Sequence, residues 1–377
     1  MDSLKRIALV SLVLLLSPLR SSADTVVKIG DVGPLTGQLA RTGNDEKNGA
    51  QLAVEEINQK GLVIGGQKVT LQLDVQDDAA DPRTATQAAQ KLVDDNVVAV
   101  VGHLNSGTSI PASKIYSDAG IVQISPSATN PAYTQQGFKT TYRLVATDAQ
   151  QGPALATYAA KNLQIKTVAI VDDATAYGQG LANEFEKSAR SLGIKIVSRD
   201  ATNDKAVDFR AILTKIKGEN PDAIMYGGSD ATGGPFAKQA RQLGLRAKVL
   251  AGDGVCTYAL PTLAVDGASS IVCSVAGMAL EKMDGGADFA KKYQNRFGEP
   301  IQVYAPFTYD AVYIIADAMK RANSVDRAKI LAAMPATRYK GVIGETAFDS
   351  KGDLQHPVIS IYTYADGKKT LLDVVKM

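Results

Sequence analysis

The chain has 377 residues, more than a single hydrophobic core usually serves, so two domains are expected. Hydrophobic residues make up 45% and charged residues 21%, which are ordinary globular proportions and exclude a disordered or low-complexity chain. The formal net charge of +2 comes entirely from residues 1–23, because the rest of the chain is balanced. A neutral chain has no general attraction to nucleic acid or to an anionic membrane, so we expect small or locally recognised partners.

The first 23 residues have the three-part organisation of a secretory signal peptide. Lys5 and Arg6 form a basic start, an apolar run extends from Ile7 to Leu16, and small residues lead to Ala23. The apolar run is too short to span a bilayer comfortably. We predict cleavage after Ala23 and export of the remaining chain; an uncleaved membrane anchor is the alternative.

From Asp24 onward, short β-branched runs alternate with amphipathic segments of helical length. Predicted strands lie at 26–30, 68–76, 97–102, 121–125, 167–173, 194–199, 223–228, 248–252, 270–274, 358–364 and 371–376. Predicted helices lie at 48–60, 84–96, 180–193, 208–220, 234–244 and 303–322. This alternation predicts an α/β fold of two similar units, each a doubly wound parallel sheet with helices on both faces. We expect the chain to cross between the units near 145–148 and again near 350–357.

Ligands of open parallel sheets bind at the carboxyl ends of the strands, close to helix N-termini. The strand at 97–102 is followed by His103 to Ser109, and a helix is predicted from Ile110 or Pro111. Glycine, hydroxyl groups and the N–H groups of a helix start suit a carboxylate or a phosphate. Capping of the helix by Ser106 or Ser109 is the alternative.

Three further strand ends carry candidate binding residues. Ser127 can offer its carbonyl to an ammonium group and Thr129 its hydroxyl to either charged end, unless both belong to a plain turn. Tyr177 can form an apolar pocket wall or pack on the following helix. Asp253, between two glycines, can pair with a ligand cation or occupy an ordinary turn.

Signatures of catalysis are missing from the sequence. Nucleophile-elbow, phosphate-loop and zinc-protease motifs do not occur, and Ser106 lies four positions after Gly102, not the two that such an elbow requires. His103 is the nearest base, three residues away on the same short loop, and no triad order stands out. We therefore expect no enzyme activity and no catalytic residue.

The two cysteines, Cys256 and Cys273, are 17 positions apart in the exported part of the chain. In an oxidising compartment we expect one disulfide, worth about 3 kcal/mol in the loop-entropy model; two buried thiols are the alternative. The chain has only two histidines, so metal-ligand spacing is absent and we expect neither a metal nor a cofactor.

Eight short motifs occur in order along nearly the whole exported chain: GPLTG (33–37), NGAQLAVEEIN (48–58), DDAADP (77–82), VVGHLNSGTSIPAS (100–113), SPSATNP (125–131), DAQQGP (148–153), YGQGLA (177–182) and FDSKGDL (348–354). Together they resemble the periplasmic leucine/isoleucine/valine-binding proteins, the type I solute-binding proteins of branched-chain amino acid ABC transporters.

The resemblance implies two α/β lobes joined by three crossovers, with the ligand in the cleft between them. Lobe 1 would comprise residues 24–145 plus 276–355, and lobe 2 residues 146–275 plus 356–377. The implied function is capture of a branched-chain or related aliphatic amino acid by hinge closure in the periplasm. The implied partners are the amino acid and a membrane permease of an ABC transporter, and we expect a monomer that does not bind nucleic acid.

Carried over by motif position, the resemblance also implies the ligand contacts. Ser106 and Thr129 would receive the α-carboxylate. Ser127 through its carbonyl, Thr129 through its hydroxyl and Asp253 would hold the α-ammonium group. The side-chain pocket and the closing lobe would be lined by Leu104, Tyr177, Tyr226 and Tyr304.

This chain departs from the family at three places. Asp253 stands where the best-known members have glutamate, so its carboxylate is one methylene shorter, and Thr42 stands at an aromatic pocket position. The positions of the family's first-lobe disulfide are Ala80 and Asn105, which implies that the two cysteines form a different disulfide in lobe 2. The other functions considered are a ligand-sensing domain of the same fold, for amino acids or small amides, and a secreted hydrolase.

Overall fold

The computed structural model describes residues 25–377, so the predicted signal peptide lies outside the described residues. The strands are β1 (Thr25–Gly33), β2 (Leu62–Ile64), β3 (Gln67–Asp77), β4 (Ala99–Gly102), β5 (Val122–Ser125), β6 (Thr141–Arg143), β7 (Thr167–Asp172), β8 (Lys195–Ala201), β9 (Ala223–Gly227), β10 (Lys248–Ala251), β11 (Ile271–Val275), β12 (Tyr339–Gly341), β13 (Gly344–Thr346), β14 (Val358–Ala365) and β15 (Lys368–Lys376). The helices are α1 (Ala40–Lys60), α2 (Pro82–Asp94), α3 (Ser106–Asp118), α4 (Asp148–Lys161), α5 (Ala176–Ser191), α6 (Arg210–Glu219), α7 (Asp230–Gln242), α8 (Leu260–Ala264), α9 (Gly286–Phe297), α10 (Ala305–Ala322) and α11 (Arg327–Ala333).

Two large sheets form the centres of two lobes. The first has the strand order β2-β3-β1-β4-β5-β6 and is parallel except for β2. The second has the order β15-β14-β11-β10-β9-β7-β8 and is parallel except for β14 and β15. Helices α1 to α3 and α9 to α11 pack with the first sheet to form lobe 1, and α4 to α8 pack with the second to form lobe 2. The predicted α/β fold with two parallel-sheet lobes is confirmed.

Helices cover both faces of the first sheet because its strands are apolar on both sides. Val27 and Ile29 of β1 belong to the core shared with α1 and α10, whereas Val32 faces the opposite way. Val100 packs with Val32 against α2 and α3. Strands buried on both faces read as continuous apolar runs, and this explains why β4 and β5 could be recognised from sequence.

The chain passes three times between the lobes: after β6, after β11 and before β14. Two of these segments are hydrogen-bonded to each other, since the Ala146 N–H donates to the Ala276 carbonyl at 2.8 Å. The Ser360 hydroxyl also donates to the Gly277 carbonyl at 2.8 Å. The crossings therefore form a connected hinge, and the domain bounds 24–145 plus 276–355 and 146–275 plus 356–377 remain our proposal.

Each predicted strand and helix has a counterpart, but several helices begin earlier than predicted: α1 at Ala40, α5 at Ala176 and α7 at Asp230. Helix α3 begins at Ser106 and contains Pro111 in its interior, whereas the sequence suggested a start at Ile110 or Pro111. The short strands β2, β6, β12 and β13 were not predicted. The expected disulfide is confirmed: Cys256 and Cys273 are bonded, with their Cα atoms 5.5 Å apart. Across residues 25–377, no helix is long and apolar enough to cross a membrane.

Candidate functional site

A cavity of about 430 Å³ lies between the lobes, where the strands of both sheets end. Its lining comes from both lobes: Leu39, Thr42, Leu104, Asn105, Ser106, Ser127 and Tyr304 from lobe 1, and Tyr177, Ser229, Asp253, Gly254 and Thr257 from lobe 2. Most of this lining is apolar or hydroxylated, with Asp253 as its one carboxylate. A cavity of this kind suits a small ligand with a charged group and an apolar part.

The lobe 1 wall is built around the first turn of α3. The Asn105 carbonyl accepts from the N–H groups of Thr108 and Ser109 at 3.1 and 2.9 Å, so the N–H groups of Ser106 and Gly107 lie ahead of the first intrahelical hydrogen bonds. The positive end of a helix dipole at this point favours an anion. Since Asn105 is the N-cap residue and Ser106 the first helical residue, neither predicted serine is the cap.

The loop after β5 is held rigidly beside this helix start. Arg143 is fully buried and donates to the Ala128 carbonyl at 2.6 Å and to the Asn130 carbonyl at 3.1 Å, while Asp353 accepts from its Nε at 2.6 Å. The Asn130 N–H in turn donates to the Ser106 hydroxyl at 3.2 Å. This clamp fixes the loop that carries Ser127 and Thr129.

The lobe 2 wall centres on Asp253, which is 1% exposed. Its Oδ1 accepts from Gln151 at 2.8 Å and from the Tyr177 hydroxyl at 2.9 Å. Its Oδ2 accepts from the Tyr304 hydroxyl at 2.6 Å. Burial raises the pKa of Asp253 above its usual value, although these three donors oppose the shift. A cation beside this carboxylate would restore the favourable interactions that the carboxylate loses on leaving water.

Two contacts join the lobes across the cleft, so the lobes are closed. Tyr304 belongs to lobe 1, and its hydroxyl reaches Asp253 of lobe 2. The Asn130 amide donates to the Ala176 carbonyl at the start of α5, at 2.7 Å. Tyr304 is placed by Asp45, whose Oδ2 accepts from the N–H groups of Val303, Tyr304 and Ala305 at 3.0, 2.8 and 3.1 Å.

Six of the eight predicted ligand-binding residues line this cavity: Leu104, Ser106, Ser127, Tyr177, Asp253 and Tyr304. The other two are not among the lining residues. Thr129 is fully buried; its carbonyl accepts from the Asp148 N–H at 2.8 Å, and its hydroxyl has no hydrogen-bond partner. Tyr226 packs in the lobe 2 core, with its ring 4.7 Å from that of Phe236.

Several lining residues were missed from sequence. Ser229 follows β9 at the same sheet edge as the other candidates, so the strand-end rule could have found it. Leu39 and Thr257 carry no such signal, because they enter the cavity from irregular segments. Glu46 lies one turn after Thr42 on α1 and is not part of the lining; burial raises its pKa well above the usual range, and neighbouring Asp31 adds to the rise.

His103 is not available as a base for Ser106. It is fully buried, with Nδ1 2.7 Å from an Asp78 oxygen and Nε2 3.1 Å from the Tyr116 hydroxyl. The Ser109 hydroxyl donates to the His103 carbonyl at 3.0 Å instead of serving the cavity. Within residues 25–377, no group of three or more histidine, cysteine, aspartate or glutamate side chains is arranged to hold a metal ion.

The fold and the cleft together define the class: a two-lobed binding protein that encloses a small ligand between its lobes. The sequence profile of the periplasmic binding protein family matches residues 26–368, and the chain belongs to this family. A Leu/Ile/Val-binding protein homologue of Brucella abortus is 35% identical over 350 residues, which cover 92% of each chain. The leucine-, isoleucine-, valine-, threonine- and alanine-binding protein of Pseudomonas aeruginosa is 33% identical over 343 residues, 91% of each chain.

Solved structures agree with this assignment. The substrate-binding protein of a branched-chain amino acid transporter from Streptococcus pneumoniae, in complex with isoleucine, superimposes with a TM-score of 0.86 at 30% identity, covering 94% of this chain and 100% of that one. A solute-binding protein of Rhodopseudomonas palustris, in complex with 3,4-dihydroxybenzoic acid, gives a TM-score of 0.82 at 25% identity, covering 93% and 97%. The relatives are solute-binding proteins, so this chain is a binding protein and the hydrolase alternative is set aside.

Proposed function

We propose that this protein captures a branched-chain or closely related aliphatic amino acid in the cleft and delivers it to the permease of an ABC transporter. The observation that carries the proposal is the pairing of two opposite polar ends in one cavity. One end is the start of α3 at Ser106, and the other is the buried carboxylate of Asp253. An amino acid zwitterion is complementary to both ends at once.

The anionic end of the ligand belongs beside Ser106. The Ser106 hydroxyl and the N–H groups of Ser106 and Gly107 supply hydrogen-bond donors at the helix start, whereas Thr129 is not among the lining residues. The cavity lining contains no lysine or arginine, so the ligand carboxylate has to be held by neutral donors and the helix dipole.

The cationic end belongs beside Asp253, with the Ser127 carbonyl as a second acceptor. A buried carboxylate without a cation is unfavourable, so a ligand ammonium group both pairs with Asp253 and relieves its isolation. Asp253 also disfavours a ligand that carries only a carboxylate, because like charges would be enclosed together.

The apolar part of the ligand faces Leu39, Leu104 and the ring of Tyr177. An aliphatic side chain suits these walls, and the relatives named for leucine, isoleucine and valine support this class. One methylene in such a pocket changes the binding free energy by only about 1–3 kcal/mol, so we expect graded preference among aliphatic amino acids. Thr42 is smaller than an aromatic residue and widens one wall, which favours broad selectivity.

Hinge closure accounts for capture and release. The ligand docks first on lobe 1 at Ser106, and lobe 2 then closes over it, bringing Tyr177 and Asp253 into place. Ligand binding shifts the open–closed equilibrium only as far as the ligand prefers the closed form. The Tyr304–Asp253 hydrogen bond is part of that preference. Delivery to a permease and export to the periplasm follow from the family and from the signal-peptide pattern, and we propose both, with a monomer as the working unit.

The proposal is tested by calorimetry on protein that has been unfolded, freed of ligand and refolded. We expect saturable binding of leucine, isoleucine and valine among the twenty amino acids, and weaker binding of small aliphatic amides. Mass spectrometry of ligand released from freshly purified protein should identify the same class. Absence of saturable binding to any amino acid would contradict the proposal.

A further inference from the structure

A second cavity, of about 740 Å³, lies on the hinge side of the molecule. We call it the hinge cavity; its lining includes Met278, Glu281, Gln302, Phe307, Tyr362 and Lys369. Gln302 and Phe307 come from lobe 1, Tyr362 and Lys369 from the last hairpin of lobe 2, and Met278 from the crossing after β11. The hinge cavity therefore contacts both lobes and the hinge, without sharing a lining residue with the cleft cavity.

The hinge cavity has a fixed cation. The Lys369 Nζ donates to the Cys256 carbonyl at 2.6 Å and lies 4.4 Å from the centre of the Tyr362 ring. The Glu281 carboxylate accepts a hydrogen bond from the same tyrosine hydroxyl at 3.4 Å. Burial lowers the pKa of Lys369 to about 8, against the opposing effect of Glu281, so the lysine is mainly charged at neutral pH. The Lys369 ammonium group could therefore pair with a ligand carboxylate.

The hinge cavity also has an acceptor that lacks a donor. Gln302 is 8% exposed, its N–H donates to Asp45 at 3.0 Å and its side-chain amide to the Pro300 carbonyl at 3.3 Å. Its Oε1 is buried without a hydrogen-bond partner. A buried acceptor left unpaired is unfavourable, and a ligand N–H group that reached it would restore its hydrogen bond.

Between these polar groups the walls are apolar and adaptable. Met278, Met283, Ile301 and Phe307 contribute thioether, aliphatic and aromatic surface. Flexible thioethers accommodate ligands of slightly different shape. The cavity thus offers a cation, two acceptors and an apolar wall within a space that is large enough for a small metabolite.

We propose that the hinge cavity is a second, weaker binding site for an apolar α-amino acid. Lys369 pairs with the ligand carboxylate, Glu281 and the Gln302 Oε1 receive the ammonium group, and the side chain lies against Met278 and Phe307. This site is independent of the ligand assignment in the cleft, since the two cavities have separate linings.

Equilibrium dialysis with radiolabelled L-methionine, up to millimolar concentration, tests the proposal on the refolded, ligand-free protein without its signal peptide. We expect each wild-type chain to bind two molecules of L-methionine. Lys369→Met should retain the cleft site and weaken the other at least tenfold, whereas Asp253→Asn should retain the hinge site. If the cleft does not bind methionine, wild type and Asp253→Asn each bind one molecule and Lys369→Met binds none, which separates the two proposals.

Two further variants guard against a folding artefact. Lys368→Met changes the exposed neighbour of Lys369 and should leave both sites intact. Met278→Phe fills the hinge cavity without removing a charge and should abolish only the weaker site. A wild-type protein whose entire binding is lost in Asp253→Asn, or a weaker site that survives both Lys369→Met and Met278→Phe, would overturn the proposal.

Discussion

The two walls of the cleft present charge in different ways. The lobe 1 wall uses a helix start and neutral hydroxyl groups, and its polar groups are held mainly by backbone partners such as the Asn130 N–H on Ser106. The lobe 2 wall uses one buried carboxylate, Asp253, held by the side chains of Gln151, Tyr177 and Tyr304. On the lobe 1 wall several donors can bind the ligand carboxylate, whereas on the lobe 2 wall a single carboxylate binds the ligand ammonium group.

This difference predicts unequal sensitivity to substitution. Removing one donor from lobe 1 leaves others to bind the ligand carboxylate. Removing the charge from lobe 2 leaves the ligand ammonium enclosed without a counter-charge, which is costly in a desolvated site. Equal effects of substitutions on the two walls on ligand affinity would contradict this expected difference.

The largest effect is expected for Asp253→Asn, which keeps the shape of the side chain and removes its charge. Affinity for leucine should fall at least about thirtyfold, since losing one partner of a buried charge pair costs about 2–5 kcal/mol. Calorimetry on refolded protein measures the change, with exposed Asp94→Asn as the matched control. Unchanged affinity would remove Asp253 from the site.

The same variant should be more stable without ligand, and increasingly so as pH rises. Burial raises the pKa of Asp253 in the folded state above its unfolded-state value of about 4. Between these two pKa values, a rise in pH ionises the carboxyl group more readily in the unfolded state and so lowers the free energy of unfolding. Asparagine lacks this penalty. The difference in unfolding free energy between Asp253→Asn and wild type should therefore grow above pH 4, as measured by denaturant titration; a constant difference would contradict it.

A smaller effect is expected for Ser106→Ala on the lobe 1 wall. The substitution removes one hydroxyl donor but keeps the backbone N–H groups, so affinity should fall about tenfold, near the lower end for a hydrogen bond to a charged group. Ser109→Ala is the control in the same helix, because its hydroxyl serves the His103 carbonyl. Equal losses of affinity in the two variants would contradict a direct role for Ser106.

Tyr304→Phe should reduce affinity less again. It removes the hydrogen bond that joins Tyr304 to Asp253 across the cleft, while Gln151 and Tyr177 still hold the carboxylate. The closed form should lose about 1 kcal/mol, or a few-fold in affinity. Stopped-flow fluorescence of a dye-labelled protein should show the loss in the dissociation rate; a change confined to the association rate would argue against a role in closure.

The smallest effect on affinity is expected from the double variant Cys256→Ala with Cys273→Ala. The disulfide lies within lobe 2 and its sulfur atoms are buried away from the cleft lining. Its loss should lower the free energy of unfolding by about 3 kcal/mol while leaving affinity unchanged. Thermal unfolding and calorimetry on the same sample check both parts, and a large loss of affinity would show that the disulfide shapes the lobe 2 wall.

Strand periodicity was enough to predict the two sheets, and the strand-end rule predicted much of the cleft. Ser106, Tyr177 and Asp253 each follow a buried strand, and parallel strands bring their ends to one edge. The rule applied equally to Ser229, which was overlooked. Tyr226 lies within β9 and packs into the lobe 2 core, because a residue inside a strand alternates between faces instead of reaching the edge.

Other features depend on contacts that no local pattern records. The start of α3 was misplaced because Pro111 resembles a first-turn proline, whereas packing tolerates it inside the helix. Asp45 looks like an ordinary helical residue, yet it binds a backbone turn more than 250 positions away. The hydrogen bond between Asp253 and Tyr304 likewise exists only once the lobes meet.

The central claim is that the cleft requires both charged ends of its ligand. Calorimetry with leucine, with 4-methylpentanoate, which lacks the ammonium group, and with 3-methylbutylamine, which lacks the carboxylate, tests this claim directly. We expect that leucine binds and that each analogue binds at least about thirtyfold more weakly, because each leaves one polar end of the cavity unpaired. Binding of 4-methylpentanoate as tightly as leucine would contradict the role of Asp253 and with it the proposed amino acid specificity.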